Sequence, residues 1–253
     1  MEKIMVKGLN GFKEWFRGYE DQFVIIGGTA CDILMSEEGQ DFRATKDIDM
    51  VLLVEALTAD FGAKFWAYVE DGEYEHRKKS SAEPQFYRFS HPQKAGFPEM
   101  IELFSKRLDY ISLPEDAVLT PLPLDDDLSS LSAILLDDEY YNLLLSGKTI
   151  IDGVSILNAE HLIPFKVKAW LDLTARKADG QAIDSKNIKK HKNDVFRLSQ
   201  LLTPNSTLSA SAAIKTDLEN FFDAMKTESV DLKALGIRGT TEETVSKIMK
   251  VYL

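Results

Sequence analysis

The first half of the chain contains short apolar runs of the kind that form buried strands. Two of them, residues 22–26 and 47–53, are rich in β-branched and other apolar side chains and show no helical period. Similar runs with polar breaks between them predict further strands near residues 73–79, 85–90, 99–105, 132–136 and 149–156. Apolar residues recur at helical spacing in residues 9–19, 57–72 and 138–145. This pattern predicts an α/β (α+β) domain, a mixed sheet with flanking helices.

The pattern changes near residue 158, and helical spacing then continues to the end of the chain. Helices are predicted at residues 159–177, 184–202, 210–225 and 241–252, with links rich in Gly, Ser, Thr and Pro between them. A chain of 253 residues with 44% hydrophobic side chains can bury a substantial core. We therefore predict two domains, an α/β domain at residues 1–158 and a helical bundle domain at residues 159–253.

Composition narrows the class of protein. No apolar run approaches the roughly 18 residues of a membrane span, and the N-terminus lacks the apolar block of a signal peptide. The single cysteine, Cys31, agrees with a reducing compartment and is expected to pack as a small apolar side chain. We expect a cytoplasmic protein with no membrane partner.

The charge of the chain is unevenly distributed. The net charge of −11 tells against a surface that is positive throughout, although it leaves room for one basic face. Residues 113–139 contain eight acidic residues and no Lys or Arg, which predicts a solvated loop. Residues 166–197 contain nine Lys or Arg against four Asp, and are the candidate basic face.

Two glycines, Gly27 and Gly28, follow directly after the first apolar run. Without a Cβ, they allow the backbone to approach a ligand closely. Thr29 is the predicted start of a helix, where its hydroxyl could cap the helix or bind an anion. The N–H groups of a first helical turn favour a phosphate at the same place. A simple tight turn is the alternative interpretation.

Asp47 and Asp49 lie two positions apart in the second apolar run, so their side chains share one face while Ile48 points to the other. A solvated strand end is the alternative, but the run continues into apolar residues, where an unpaired charge is costly. A divalent cation between the two carboxylates would relieve this cost. Together with the glycine pair, they indicate a nucleotide and metal site.

These residues resemble a known family. Gly27-Gly28-Thr29, followed by RATKDIDMVL at residues 43–52, resembles the nucleotidyltransferase superfamily typified by DNA polymerase beta. Within it, the chain is most similar to the abortive-infection-type nucleotidyltransferase toxins of bacterial toxin–antitoxin systems. The connection at residues 30–46 is longer than the family pattern, which predicts an extra loop around residues 36–42.

The resemblance implies a third acidic residue on a later strand, and Glu102 stands alone between large apolar residues where that residue is expected. It implies that Asp47, Asp49 and Glu102 bind Mg2+ or Mn2+ and are catalytic, with Glu102 able to accept a proton. An acceptor hydroxyl would attack the α-phosphorus of a nucleoside triphosphate and expel pyrophosphate. Nucleotide binding would fall to Gly27, Gly28, Thr29, Arg43 and Lys166.

The helical half contributes further candidates. Lys166 lies at the edge of an apolar stripe, where it either binds phosphate, as the resemblance implies, or only extends its ammonium to solvent. Lys192 and Asp194 match a Lys-Asp motif of the toxins, interrupted here by Asn193, and Asp194 is alternatively a structural partner for a lysine. The possible acceptor-binding residues, if they are not just a solvated face, are Lys186, Lys189, Lys190 and Lys192.

Several alternatives stay open at this point. The acceptor is expected to be a tRNA-like RNA 3′ end, or a small molecule such as an aminoglycoside, or a protein. An antitoxin protein is a further expected partner. A non-catalytic nucleotide-binding module is the remaining alternative. Residues 146–149 look like part of a P-loop, but Asn142 replaces the required first glycine and a strand is predicted to follow, so we predict a turn.

Overall fold

A computed structural model describes residues 6–75, 86–105, 134–135 and 137–253. The strands in these ranges are β1 Phe23–Ile26, β2 Asp47–Leu52, β3 Phe86–Ser90, β4 Met100–Ser105, β5 Lys148–Ile151 and β6 Val154–Leu157. The helices are α1 Leu9–Trp15, α2 Gly27–Glu37, α3 Ala59–Asp71, α4 Asp138–Ser146, α5 Ala159–Ala178, α6 Ser185–Leu198, α7 Ala212–Met225 and α8 Thr241–Tyr252. Within the described ranges, no helix has the length and apolar character needed to cross a membrane.

The six strands form one mixed sheet in the order β3-β4-β2-β1-β6-β5. Neighbours β1 and β2, β3 and β4, and β5 and β6 are antiparallel, whereas β2 and β4, and β1 and β6, are parallel. The predicted mixed sheet with flanking helices, followed by a helical region, is confirmed.

Aromatic side chains join two helices to the sheet. Phe12 of α1 and Phe16, which follows the end of this helix, are at most 1% exposed and contact Phe23 of β1, with ring centroids 5.9 and 6.1 Å from that of Phe23. Phe61 and Tyr68 of α3 contact the same cluster. The burial of Phe12 and Phe16 anchors α1 to the sheet.

One predicted strand is wrong. Residues 149–156 were expected to form a single strand, but the structure has a hairpin of β5 and β6 joined at Asp152 and Gly153. Both turn residues have positive φ, +49° and +74°, which is the backbone that an Asp-Gly hairpin turn requires. A strand, β5, begins at Lys148, so the prediction against a P-loop is confirmed.

Some expectations fall outside the described ranges. These include most of the predicted strand at residues 73–79, where Glu75 forms an isolated bridge with Ser90, and most of the acidic loop. Ile134 and Leu135 are helical instead of extended, and the remainder of the predicted strand at 132–136 is not described.

The described residues form two compact units. The first contains residues 6–37, 41–75, 86–105 and 148–157, and therefore all six strands. The second contains residues 38–40, 134–135, 137–147 and 158–253. Helix α4 belongs to the second unit, although it precedes residue 158.

The second unit is built around α5, which packs against α4, α6 and α7. Leu162, Val167 and Trp170 of α5 are at most 3% exposed, and the ring of Trp170 meets that of Phe221 of α7 at 5.2 Å. The predicted helix at residues 184–202 ends at Leu198, and a 3-10 turn, Ser199–Leu201, follows it.

Candidate active site

Three charged residues lie side by side across the sheet. Arg88 of β3 pairs with Glu102 of β4, and Glu102 pairs with Asp49 of β2, whose other partner is Ile26 at the end of β1. Directly paired residues project from the same face of a sheet. Arg88, Glu102 and Asp49 therefore form one row of side chains, which we call the charged row.

Asp47 lies two positions before Asp49 on β2 and so projects from the same face. The opposite face carries Ile48 and Met50, both 0% exposed, whereas the two aspartates are half-buried. This is the alternation on which the sequence interpretation of the Asp pair was based.

The glycine turn lies against this carboxylate pair. Gly27 has a left-handed backbone, φ +68°, and a Cβ there would collide with the Asp49 carboxylate. A Cβ at Gly28 would lie 2.6 Å from Oγ1 of Thr45 and 3.4 Å from a guanidinium nitrogen of Arg43. The two glycines thus bring the first turn of α2 against Asp49 and Arg43, as a phosphate site next to a metal site would require.

Thr29 has a different place from the predicted one. Helix α2 begins at Gly27, so Thr29 is its third residue and not its cap. The Thr29 side chain is 0% exposed, and its hydroxyl donates a hydrogen bond of 2.5 Å to the backbone carbonyl of Asp47. This contact ties α2 to the start of β2 and positions Asp47, which is a structural role.

Glu102 is engaged by Arg88. Nε and Nη2 of Arg88 lie 2.8 and 2.6 Å from Oε1 of Glu102, and the two side chains are 17% and 11% exposed. Burial raises the pKa of Glu102, and the charge of Asp49 and a hydrogen bond with it raise this pKa further, whereas Arg88 lowers it. Arg88 was not among the residues predicted from the sequence.

The carboxylates of the charged row have the chemistry of ligands for the metal that the sequence implies. Asp47 and Asp49 supply the oxygen ligands that Mg2+ prefers, and one or two carboxylates with phosphate oxygens form a usual Mg2+ site. Over the described part of the chain, however, no three His, Cys, Asp or Glu side chains are arranged to hold a metal ion. The chemistry of the aspartate pair fits a divalent cation, whereas Oε1 of Glu102 is already held by Arg88.

Lys166 and Asp194 belong to the second unit. Nζ of Lys166 lies 3.5 Å from Oδ2 of Asp194, and Nη1 of Arg197 lies 3.4 Å from Oδ1. Asp194 is 0% exposed and Lys166 is 5% exposed. The geometry agrees with the alternative in which Asp194 is the structural partner of a lysine.

The chain shows only low similarity to known proteins. No family model matches the chain, and no curated protein does. An antigenic nucleotidyltransferase-like protein from Paracoccidioides brasiliensis is 17% identical, with a TM-score of 0.41 over 88% of this chain and 87% of that one. The antibiotic-resistance factor ANT(2'')-Ia is 14% identical, with a TM-score of 0.35 over 87% and 88%. At these TM-scores the likeness decides nothing about function, which must rest on the site.

The basic stretch of α6 does not form one surface. Lys186 and Lys189 are exposed and Lys190 is half-buried, but Lys192 is only 7% exposed. Nζ of Lys192 lies 2.6 Å from Oε2 of Glu228 and donates to the carbonyl of Ser229 at 3.0 Å. Lys192 is therefore buried and paired, unlike the exposed Lys186 and Lys189 of the same predicted set.

A cavity of about 570 Å³ lies within the second unit, lined by parts of α5, α6 and residues 228–235. Its cationic lining residues are Lys177, Lys189, Lys192 and Arg197, and its acidic ones are Glu228 and Asp231. Lys186 and Lys190 are not part of the lining. Lys189 is thus the exposed lysine of the predicted set that faces this cavity.

Proposed function

We propose that this protein is a metal-dependent nucleotidyltransferase, which moves a nucleoside monophosphate from a nucleoside triphosphate to an acceptor hydroxyl. The observation that carries the proposal is the packing of the Asp49 carboxylate against the backbone of Gly27. It joins a carboxylate pair of the right chemistry for Mg2+ or Mn2+ to a helix N-terminus suited to phosphate. The resemblance of the same residues to the nucleotidyltransferase superfamily supports the reaction class.

Asp47 and Asp49 would hold the cation, which supplies Lewis-acid chemistry at the reacting phosphate when it is bound. The turn at Gly27 and Gly28 lets phosphate oxygens approach backbone N–H groups, and Arg43 adds positive charge beside it. The acceptor oxygen forms a bond to the α-phosphorus as the bond from the α-phosphorus to the bridging oxygen breaks, and pyrophosphate leaves. Glu102 is the candidate group to take the proton of the acceptor hydroxyl.

The substitution Asp49→Asn tests this function. Transfer from labelled triphosphate in the presence of Mg2+ should be lost, because the substitution removes a metal ligand. The melting temperature should be unchanged or higher, because the repulsion from Asp47 and Glu102 is also removed. Asp41→Asn makes the same chemical change at an exposed aspartate outside the charged row and should transfer normally. Normal transfer by Asp49→Asn, or failure of that variant to fold, would contradict the proposed role.

We further propose that the acceptor is an RNA 3′ end of tRNA-like structure, that residues of the second unit bind it, and that the protein acts as a toxin with an antitoxin partner. The excess of Lys and Arg in residues 166–197 of an acidic chain supports RNA, as does the position of Lys189 on a cavity. A cationic small molecule such as an aminoglycoside is the second candidate, favoured by the net charge of −11. Incubation with each labelled triphosphate, Mg2+ and separate RNA, protein and small-molecule extracts will distinguish them by the fraction that takes label.

A further inference from the structure

Arg88 makes an ion pair that the proposed reaction does not use. It reaches Oε1 of Glu102 with two nitrogens, Nε at 2.8 Å and Nη2 at 2.6 Å, from the directly opposite position on β3. Both side chains are largely buried, at 17% and 11% exposed. A two-nitrogen contact of this kind is stronger and more directional than a single lysine contact.

The charges of the neighbouring residues explain why the Arg88 guanidinium is needed in the charged row. Glu102 lies between Arg88 and Asp49, and two neighbouring carboxylates repel each other when both are ionised. Arg88 compensates the charge of Glu102 from the β3 side. A divalent cation held by Asp47 and Asp49 would compensate the same charge from the β2 side.

We propose that Arg88 is a positioning residue that holds Glu102 when no divalent cation is bound and exchanges with that cation for the Glu102 carboxylate. The inference rests on the proposed function only in taking Mg2+ or Mn2+ as the ligand of the aspartate pair. It explains how Glu102 can serve as the third carboxylate although its oxygen is held by a guanidinium. The exchange also leaves the Arg88 guanidinium available to an anion, and the phosphates of the nucleotide are anions of suitable chemistry.

The first test is the affinity for Mn2+, followed by the electron paramagnetic resonance signal of the free ion and without any transfer reaction. Arg88→Gln removes the competing cation and should tighten Mn2+ binding roughly tenfold, because one full charge near the site is lost. The same variant should melt at a lower temperature without Mn2+, because Glu102 and Asp49 then lie uncompensated. Arg88→Lys keeps the charge but loses the two-nitrogen contact, and should tighten binding less.

Two controls separate the exchange from a general charge effect. Lys46→Gln removes one positive charge next to Asp47, but Lys46 pairs with exposed Glu99 at 3.2 Å and does not contact Glu102. It should change the affinity for Mn2+ much less than Arg88→Gln does. In a Glu102→Gln background, Arg88→Gln should tighten binding much less than in the wild type, since the carboxylate for which the cations compete is gone and just the general charge effect remains.

A measurement on the unaltered protein covers the case in which Arg88→Gln fails to fold. The Nε–H resonance of Arg88 in 15N-labelled protein should shift and broaden as Mg2+ is added, because its hydrogen bond to Glu102 is lost. An unchanged resonance under conditions where Mg2+ binds would overturn the inference, as would equal affinities for Arg88→Gln and wild type. If the wild type binds neither Mn2+ nor Mg2+, the proposed function itself is wrong, and the two failures are thereby distinguished.

Discussion

Gly27 lies where β1 ends and α2 begins, and the space next to its Cα is filled by the carboxylate of Asp49. Its left-handed backbone would cost an ordinary residue about 1–2 kcal/mol even with room for a side chain. Two separate constraints therefore require glycine at this position, one from backbone conformation and one from the neighbouring strand. The second constraint is the one on which the proposed function depends, since it fixes the distance between the helix and the carboxylate.

The substitution Gly27→Ala should lower the free energy of unfolding by more than the roughly 1–2 kcal/mol of the backbone term alone, because the methyl group must displace Asp49. It should also weaken Mn2+ binding. Gly39→Ala is the matched control, since Gly39 has φ +69° and no described residue lies within 4 Å of a Cβ placed there. Urea unfolding and Mn2+ titration of both variants measure these effects. An equal decrease in the free energy of unfolding for the two variants would show that the contact with Asp49 does not contribute to stability.

The side chains that the sequence could predict are those whose position follows from the local chain. The faces of Asp47 and Asp49 follow from strand alternation, and the need for Gly27 follows from the end of an apolar run. Arg88 could not be found in this way, because its partner Glu102 is set by the register of two strands that are separated in sequence. A lone arginine between two aromatic residues of a predicted strand, Tyr87 and Phe89, was the available indication.

At the scale of elements, α5 and α6 are joined by a buried ion pair, with Lys166 and Arg197 on either side of fully buried Asp194. Asp194→Asn should lower the free energy of unfolding by about 3–5 kcal/mol, because it leaves the buried ammonium of Lys166 without a full counter-charge. Lys166→Met should cost less, since Arg197 still compensates Asp194. Urea unfolding followed by circular dichroism measures both, and wild-type stability of Asp194→Asn would exclude a structural role for the pair.

The start of α5 is expected to be sensitive to pH. Nδ1 of His161 lies 2.6 Å from Oδ1 of Asn158, the cap of this helix, and burial lowers the pKa of His161 below its ordinary value of 6.5, against a smaller opposite effect of Glu160. The unfolded chain then takes up the proton more readily than the folded one. The stabilising contribution is complete above pH 6.5 and is lost as the pH falls towards the folded pKa.

Urea midpoints measured between pH 7 and pH 5 should therefore fall more steeply for the wild type than for His161→Asn, which has no group to titrate there. His91→Asn serves as the comparison, because the His91 side chain is 71% exposed and asparagine tolerates its positive φ. A wild-type slope equal to that of His161→Asn would contradict the role of His161.

The missed hairpin shows where apolar periodicity alone is insufficient. Residues 149–156 are apolar enough to resemble one buried strand, yet Asp152 and Gly153 reverse the chain at their centre. The dipeptide Asp-Gly predicts such a turn, because both residues readily adopt the positive φ that it requires. This backbone preference decides the structure here, although the residues on either side are apolar. Lys13 of α1 pairs with Asp152 at 2.6 Å, a contact that no local pattern could reveal.

At the scale of the whole molecule, the proposed reaction divides between the two units, with nucleotide and cation bound by the first and RNA by the second. The labelling of RNA at subsaturating concentration should then fall steeply between low and moderate salt, because each phosphate contact releases counterions. Binding of the triphosphate alone should change little. A filter-binding assay for nucleotide beside a labelling assay for RNA measures the two effects.

The matched pair Lys189→Glu and Lys186→Glu makes this prediction specific. Both change an exposed lysine of α6 by the same charge, but only Lys189 lines the cavity. Lys189→Glu should reduce RNA labelling more than Lys186→Glu, and neither should alter triphosphate binding. Equal labelling by both variants would remove the cavity from the proposal, and label found only on a small molecule or protein would replace RNA as the acceptor.

The residues of the charged row lie on strands that differ in how fully they are paired with neighbouring strands. Among the described residues, β3 pairs along its length with β4 and on its other side has just the bridge of Glu75 to Ser90, whereas β2 is held on both sides by β4 and β1. A strand that is paired on one side opens locally at a lower free-energy cost than a central one. The guanidinium of Arg88 is therefore carried by a strand with less pairing than the central strand that carries the aspartates. The arrangement would allow the site to exchange its internal cation for an external one by a breathing motion of the sheet edge, while the geometry of the metal ligands is preserved.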